Sequence, residues 1–290
     1  MTEIDTDPAV DSTRQRFVVL AVGQSPADAL ATVESDVNLM VDAASKGAVW
    51  VKRRKPNGQM AKLVRLRNLD EPVLDGSELF VNINEEVLQH KVDPPSLLQE
   101  EKNYSFWFKP RGVLSQGSKW GDHTSMPYLV NQALNRPAHL VHRLDRFACG
   151  VMVLGHTKPA VKALTAVFAK RKVIKRYQVV VDGEFNVPLP HQCSAPIDDA
   201  QALTVVESME HLKARNQSEL SIQLHTGRKH QIRRHLAELN FPVVGDKRYG
   251  NGSDQTELAL MATELEFQCP FTEAHIHCVV PTTLQKNLYL

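Results

Sequence analysis

The middle of the chain has the most distinctive arrangement of apolar and polar residues. Two largely apolar runs, residues 138–141 and 151–154, flank the polar stretch His142-Arg143-Leu144-Asp145-Arg146-Phe147-Ala148-Cys149-Gly150. Apolar runs of this length are typical of buried strands. The pattern therefore predicts a connection between two strands, in which Gly150 allows a turn at little steric cost.

The same criteria predict elements elsewhere. Strands are predicted at residues 17–22, 104–108, 178–181, 219–225, 258–267 and 274–280, and helices at residues 36–44, 126–134 and 159–170. A further helix is expected after Thr226, a favourable N-cap residue, with Ile232, Leu236 and Leu239 on its buried face. Residues 89–101 lack periodicity and are predicted to form a linker, and residues 187–200 a loop.

These elements predict an α+β (mixed α/β) protein. A large domain with a central, largely antiparallel β-sheet and flanking helices is expected at residues 96–290 as the catalytic domain. A small basic α+β domain is expected before it, at residues 16–95. Residues 1–15 are polar, acidic and contain a proline, so we expect a disordered tail there.

The small domain contains a strong turn signal between basic segments. Pro56-Asn57-Gly58 separates Lys52–Lys55 from a second group formed by Lys62, Arg65 and Arg67, which predicts a basic hairpin. Such a hairpin fits a small RNA-binding module. An ordinary α+β appendage explains the same pattern equally well.

The charge distribution changes this picture only locally. The 290 residues carry a formal net charge of +1 and 42% hydrophobic residues, so the total charge does not indicate a nucleic-acid partner. Basic residues cluster at 52–67, at 170–176 and at 228–234. Each cluster alone is explained by a solvated face, but three clusters in a nearly neutral chain favour an anionic polymer as partner.

Cysteine and histidine spacing gives little support for a metal site. The four cysteines show no CxxC spacing, so neither a zinc ribbon nor a disulfide framework is indicated. Cys269, His275, His277 and Cys278 are potential ligands, but the two histidines alternate along a strand-like run, and we favour a structural role. The chain has no signal-peptide pattern and no apolar stretch long enough to span a bilayer, so we expect a cytoplasmic protein.

Two stretches carry candidate chemistry. Asp145 stands between Arg143 and Arg146, whose guanidinium groups favour the ionised carboxylate. Taken alone, a structural ion pair is the ordinary explanation. The second stretch, from Thr226 to Leu236, combines a predicted helix start with cationic side chains, which is a natural place for a phosphate or a carboxylate.

Several ordered motifs resemble the RluA-type pseudouridine synthases. HRLDRFACG at 142–150 resembles the catalytic loop of that family, whose usual form is HRLDxxTSG. TGRKHQIRRHL at 226–236 and PVVGDKRYG at 242–250 resemble its second signature block, and KPRG at 109–112, KRY at 175–177 and LALMATELEFQCP at 258–270 match weaker elements in the right order. Ala148 and Cys149 stand where the family commonly has Thr and Ser, which we interpret as small-residue packing changes.

The resemblance implies an enzyme that isomerises specific uridines of ribosomal or transfer RNA and that requires no cofactor. Apart from the resemblance, we expect no bound metal or nucleotide, and a monomer. The resemblance also implies catalytic roles for Asp145, Tyr177 and Arg233, with Arg233 pairing with Asp145 and Tyr177 stacking on the target base. Arg143 would fill the space that the flipped uridine leaves. RNA contacts are expected from Arg143, Arg228, Lys229 and His230, with Lys109 at the pocket rim.

Three questions stay open at this point. Asp145 acts either as a nucleophile or as the group that steers a sugar intermediate. A catalytically silent RNA-binding or assembly factor of the same fold is the first alternative function. A hydrolase using Asp145 with a histidine is the second, although no Ser/His/Asp elbow or metal-ligand spacing supports it.

Overall fold

A computed structural model describes residues 3–4, 14–20, 25–31, 36–253 and 256–289. The chain divides into two compact units, one formed by Met1–Lys91 with Gln116–Tyr128 and the other by Val92–Ser115 with Leu129–Leu290. The domain boundaries predicted from the sequence stay a prediction. Most of the predicted disordered tail lies outside the described residues, although Glu3–Ile4 and the start of the strand Arg14–Leu20 fall within it.

In its described residues, the smaller unit is a five-stranded antiparallel sheet with three short helices. Its strands, in the spatial order β1-β2-β5-β3-β4, and its helices are β1 Glu3–Ile4, β2 Arg14–Leu20, β3 Val49–Lys52, β4 Val64–Arg65, β5 Glu78–Asn84, α1 Pro26–Ala31, α2 Val37–Ser45 and α3 Glu85–Gln89. Asp36 caps α2 by accepting a hydrogen bond from the Leu39 N–H at 3.0 Å. The predicted turn at residues 56–58 is present, since Arg54 and Met60 form a bridge across it.

Most cations of the predicted basic hairpin have acidic partners within this unit. Lys52 pairs with Glu78 and Arg53 with Glu71, while Arg65 and Arg67 both contact Asp122. These ion pairs reduce the positive charge that the hairpin presents to an anionic polymer.

The larger unit is built on a ten-stranded mixed sheet. Its strands are β6 Ser96–Glu100, β7 Tyr104–Lys109, β8 His139–Leu140, β9 Cys149–Gly155, β10 Val173–Asp182, β11 His191–Cys193, β12 Thr204–Leu212, β13 Gln217–Leu224, β14 Leu260–Gln268 and β15 His275–Val279. Its helices are α5 Lys158–Ala169, α6 Gln231–Glu238, α7 Thr282–Gln285 and most of α4 Met126–Leu134, whose first three residues belong to the smaller unit. The spatial order is β11-β12-β13-β10-β14-β9-β7-β6, with β15 paired to β14 and β8 to β9. The predicted α+β class with a largely antiparallel sheet is confirmed.

One parallel strand pair determines where the polar connection lies relative to Tyr177 in the sheet. Strands β9 and β14 run parallel, with Gly150 opposite Ala262, and Ala262 also lies opposite Tyr177 of β10. Gly150 lies inside β9 rather than in the turn predicted for it. A Cβ atom there would come within 2.1 Å of the Ala262 carbonyl oxygen, and φ is +120°, so only glycine fits. The register brings Tyr177 to the same level of the sheet as the start of β9, two strands away.

Three further local predictions are wrong. Residues 89–101, predicted as a linker, include the edge strand β6, which supplies hydrogen-bond partners to the buried β7. Residues 187–200, predicted as a loop, contain the short strand β11. Thr226 does not cap a helix, because α6 begins only at Gln231, and the Thr226 hydroxyl donates to the Gln231 side chain instead.

The potential metal ligands near the C-terminus have other partners. His275 is hydrogen bonded to Glu266 and His277 to Glu264 across the β14–β15 pair, and Cys278 is buried. Within the described ranges, no group of three or more His, Cys, Asp or Glu side chains is arranged to hold a metal ion. In that same part of the chain, no helix has the length and apolar character needed to cross a membrane.

Candidate active site

Two buried side chains, Ser115 and Lys109, hold the polar connection, residues 141–148, through hydrogen bonds to its backbone. The Ser115 hydroxyl donates to the Leu144 carbonyl at 2.6 Å and accepts from the Leu144 N–H at 2.9 Å. The Lys109 ammonium donates to the carbonyls of Pro110, Val113 and Arg146 at 2.9–3.0 Å. The backbone around Asp145 is thereby fixed before any ligand binds.

The predicted position of Lys109 at the pocket rim is wrong. Its side chain is fully buried, and burial lowers its pKa to about 7, even though Cys149 and Asp145 favour the charged form. Lys109 therefore has a structural role, in which it donates hydrogen bonds to backbone carbonyl groups around the loop. Nothing in the KPRG motif itself distinguishes a rim lysine from a buried one.

Asp145 is held by the arginine that the resemblance implies. Arg233 Nη1 donates to Asp145 Oδ2 at 3.3 Å, so the predicted pairing is confirmed. The Asp145 side chain retains 19% exposure and the Arg233 side chain 10%. The Asp145 carboxylate therefore pairs with a cation on one side and is accessible on the other.

A residue that the sequence motifs did not single out holds Arg233 in turn. Arg233 Nε donates to Asp246 Oδ2 at 2.7 Å and Nη2 donates to Oδ1 at 2.8 Å. Asp246 also accepts the backbone N–H groups of Arg248 and Tyr249. Burial alone raises the pKa of Asp246, but these donors outweigh it and hold that pKa below its ordinary value.

His230, which the resemblance implied only as an RNA contact, lies beside Asp145. Its Nε2 is 4.0 Å from Asp145 Oδ1, and its Nδ1 is hydrogen bonded to Tyr249 at 3.0 Å. Burial lowers the pKa of His230, against the opposing influence of Asp145. Asp145 is thus flanked by a permanent cation and by an imidazole that is neutral at physiological pH.

Tyr177 lines the same cavity as Asp145. It is 8% exposed, and burial, followed by the charge of Asp145, raises the pKa of its phenol. The side chain is therefore a neutral aromatic surface beside the carboxylate, as a base-stacking role requires.

These residues line one cavity of about 550 Å³. This volume lies within the range of roughly 300–1,000 Å³ found for small-molecule sites. Besides Asp145, Tyr177 and Arg233, the lining includes the predicted RNA contacts Arg143, Arg228, Lys229 and His230. Lys175 also lines it, and burial followed by the charge of Arg171 lowers its pKa to about 8. The site is thus a concave, cation-rich pocket around one accessible carboxylate.

His142, the first residue of the motif, has a packing role. Its ring stacks on Phe168 with the centroids 4.6 Å apart, and its Nε2 accepts the Val153 N–H at 3.1 Å. Burial, followed by the charge of Lys175, lowers its pKa to about 3. The imidazole is therefore neutral in the folded protein.

We expect His142→Gln to flatten the acid sensitivity of the fold. In the unfolded chain a histidine protonates near pH 6.5, so between that pH and about 3 the unfolded state binds more protons and the folded state loses stability as the pH falls. At about pH 5 this single group costs about 2 kcal/mol. Urea unfolding at neutral pH and at about pH 5 measures the loss in both proteins, and equal losses in parent and variant would contradict the assignment.

Comparisons with known proteins agree with this geometry. The profile of the family described as RNA pseudouridylate synthase matches residues 103–238. Ribosomal large subunit pseudouridine synthase D of Xylella fastidiosa is 30% identical over 256 residues, which cover 76% of this chain and 75% of that protein. The enzyme of the same name from Escherichia coli K12 is 31% identical over 201 residues, covering 62% of this chain and 61% of that protein.

The fold has solved counterparts. Human RNA Pseudouridylate Synthase Domain Containing 1 superposes with a TM-score of 0.57 at 20% sequence identity, covering 69% of this chain and 88% of that one. Human RNA Pseudouridylate Synthase Domain Containing 4 gives a TM-score of 0.51 at 22% identity, covering 67% and 92%. At these identities the likeness concerns the fold.

Proposed function

Because this chain belongs to the RluA-type pseudouridine synthases, a family of RNA isomerases, we propose that it converts specific uridines of large-subunit ribosomal RNA to pseudouridine. One observation carries the proposal: an accessible Asp145 carboxylate is held by Arg233 inside a cation-rich cavity. Ribosomal RNA is chosen over transfer RNA because the curated relatives are named for the large ribosomal subunit.

The reaction needs an ionised carboxylate more than it needs an acid. The bond between the ribose and N1 of uracil breaks, the base turns, and C5 bonds to the ribose, while N1 gains a proton and C5 loses one. No atom is gained or lost overall, so the balance requires no cofactor. Asp145 serves either as the nucleophile or as the anion that steers the sugar intermediate, and Arg233 pairs with it and orients it.

The other cavity residues bind and confine the base. Tyr177 stacks on the uracil, which stays enclosed while it is detached. Arg143 enters the gap that the flipped uridine leaves and offsets part of the unstacking cost of a few kcal/mol. Arg228 and Lys229 meet backbone phosphates, and His230 orients Asp145 from the side opposite Arg233.

The two parts of the chain have different proposed roles. We propose that residues 16–95 add RNA affinity outside the cavity and that residues 96–290 form the catalytic domain. Ion pairing of Arg65 and Arg67 with Asp122 argues for a modest contribution from the hairpin. The protein acts as a cytoplasmic monomer in this proposal.

A tritium-release assay separates this function from its alternatives. Purified protein is incubated with unmodified large-subunit ribosomal RNA labelled with tritium at C5 of uridine, and with transfer RNA labelled in the same way. Isomerisation replaces the C5–H bond, so tritium appears in water and no free uracil forms. Free uracil would indicate a hydrolase, and RNA binding without tritium release would indicate a silent assembly factor. Release from transfer RNA alone would replace the proposed substrate.

A further inference from the structure

The catalytic loop ends in a tight turn that presents two side chains outward. The Ala148 N–H donates to the Asp145 carbonyl at 3.2 Å, so residues 145–148 form a turn with Arg146 and Phe147 at its corner. The Arg146 carbonyl accepts from Lys109 Nζ at 3.0 Å and from the Gly112 N–H at 2.9 Å. The corner is therefore rigid and lies directly after the carboxylate.

Phe147 is an unusual residue for this corner. Turn corners favour Gly, Asn, Asp, Ser and Pro, yet Phe147 is 53% exposed while its neighbours Leu144 and Ala148 are buried. Its ring does not line the cavity, so it does not serve the enclosed base. In the pattern HRLDxxTSG it stands at an unspecified position, so the family pattern does not require an aromatic residue there.

The surroundings of the ring indicate what it binds. The Arg146 guanidinium lies 5.3 Å from the ring centroid, and Arg143 is exposed on the same loop. An exposed aromatic ring beside cations is the arrangement that binds unpaired bases, since the ring stacks on a base while the cations attract the phosphates. Because the corner is fixed by Lys109 and Gly112, little conformational entropy is lost on binding.

We propose that Phe147 stacks on an unpaired RNA base next to the target uridine and thereby positions the strand for entry of that uridine into the cavity. This inference rests on the proposed function, since it takes RNA as the substrate. Phe147 acts on substrate placement, so its loss raises KM while the chemistry at Asp145 stays unchanged.

Three substitutions at one position separate stacking from simple apolar contact. On an unmodified large-subunit ribosomal RNA fragment, Phe147→Ala and Phe147→Leu are expected to raise KM by about 5-fold or more, because stacking on an aromatic ring contributes about 1–3 kcal/mol per base. Phe147→Trp is expected to stay within about 2-fold of the parent, with kcat similar in all three. Phe271→Ala, which removes a 39% exposed ring from the β14–β15 connection, is the matched control and leaves KM unchanged.

A second readout reports stacking directly. The fluorescent base 2-aminopurine is placed at each position flanking the modified uridine, and its quenching on binding is compared between parent and Phe147→Leu. Quenching at one position that is lost in the variant supports the inference. Equal KM and equal quenching in the parent and Phe147→Leu would overturn it, as would a fall in kcat with an unchanged KM.

The inference and the proposed function fail in distinguishable ways. If the parent protein releases no tritium from the RNA, the proposed function fails, but the Kd of parent and Phe147 variants for the same RNA is still measurable by filter binding. A raised Kd for Phe147→Ala and Phe147→Leu, with Phe147→Trp and Phe271→Ala unchanged, then supports stacking by itself. An equal Kd for all variants overturns it.

Discussion

Asp145→Asn is expected to reduce kcat for pseudouridine formation by about 10³-fold or more, while RNA affinity stays within about 2-fold of the parent. The change removes one charge and keeps the shape, so the cavity still accepts a uridine. An amide neither attacks a sugar carbon nor stabilises a cationic sugar, and both routes open to Asp145 need the anion. Single-turnover tritium release and filter binding measure the two effects separately.

The geometry explains why this variant should remain folded. Arg233 keeps its two hydrogen bonds to Asp246 when the Asp145 charge is lost, so no buried cation is left without a partner. Asp198→Asn is a suitable control, since it neutralises an exposed carboxylate of the same unit. Turnover near the parental rate in Asp145→Asn would remove this residue from the mechanism.

Asp246→Asn is expected to destabilise the fold by about 3 kcal/mol or more and to lower kcat together with stability. The N–H₂ of the introduced amide would face the Arg233 Nε–H, whose present partner, Asp246 Oδ2, lies at 2.7 Å. The longer contact of 3.3 Å to Asp145 is then the buried guanidinium's remaining bond to a carboxylate, and the loss of a charged partner from a buried pair is strongly destabilising. Asp145 would also lose its fixed orientation, because its arginine is no longer held from behind.

The neighbouring ion pair provides the matched control. Arg234 pairs with Asp198 at 2.9 Å, one residue further along the same helix, but the Asp198 side chain is 70% exposed. Exposed ion pairs contribute little to stability, so Asp198→Asn should leave the unfolding free energy and kcat nearly unchanged. Urea unfolding of both variants at neutral pH measures the difference. Equal destabilisation by the two substitutions would show that burial of the Arg233–Asp246 pair has no special consequence.

Local patterns predicted the elements that depend on local forces. Helix α4 is found at residues 126–134 as predicted, and α5 lies within one residue of its predicted bounds, because apolar spacing and the Thr157 cap define it. Thr226 shows the limit of such reasoning. A hydroxyl with two partners, the Leu203 N–H and the Gln231 side chain, cannot be recognised from sequence spacing.

The sequence predicted the residues that face the cavity but not the residues that hold them in place. The resemblance placed Asp145 and Arg233 together, and the structure brings them to 3.3 Å. Asp246 and the burial of Lys109 were missed, because both depend on tertiary contacts that the local sequence pattern does not encode. Gly150 was expected to serve a turn, but the close approach of a neighbouring strand is what requires it.

Pseudouridine mapping on total RNA from cells with and without this gene tests directly whether the protein modifies ribosomal RNA through Asp145. We predict that one or a few sites in large-subunit ribosomal RNA lose pseudouridine in the deletion strain, regain it with the parental gene, and do not regain it with Asp145→Asn. Identical maps with and without the gene, or sites restored by Asp145→Asn, would contradict it.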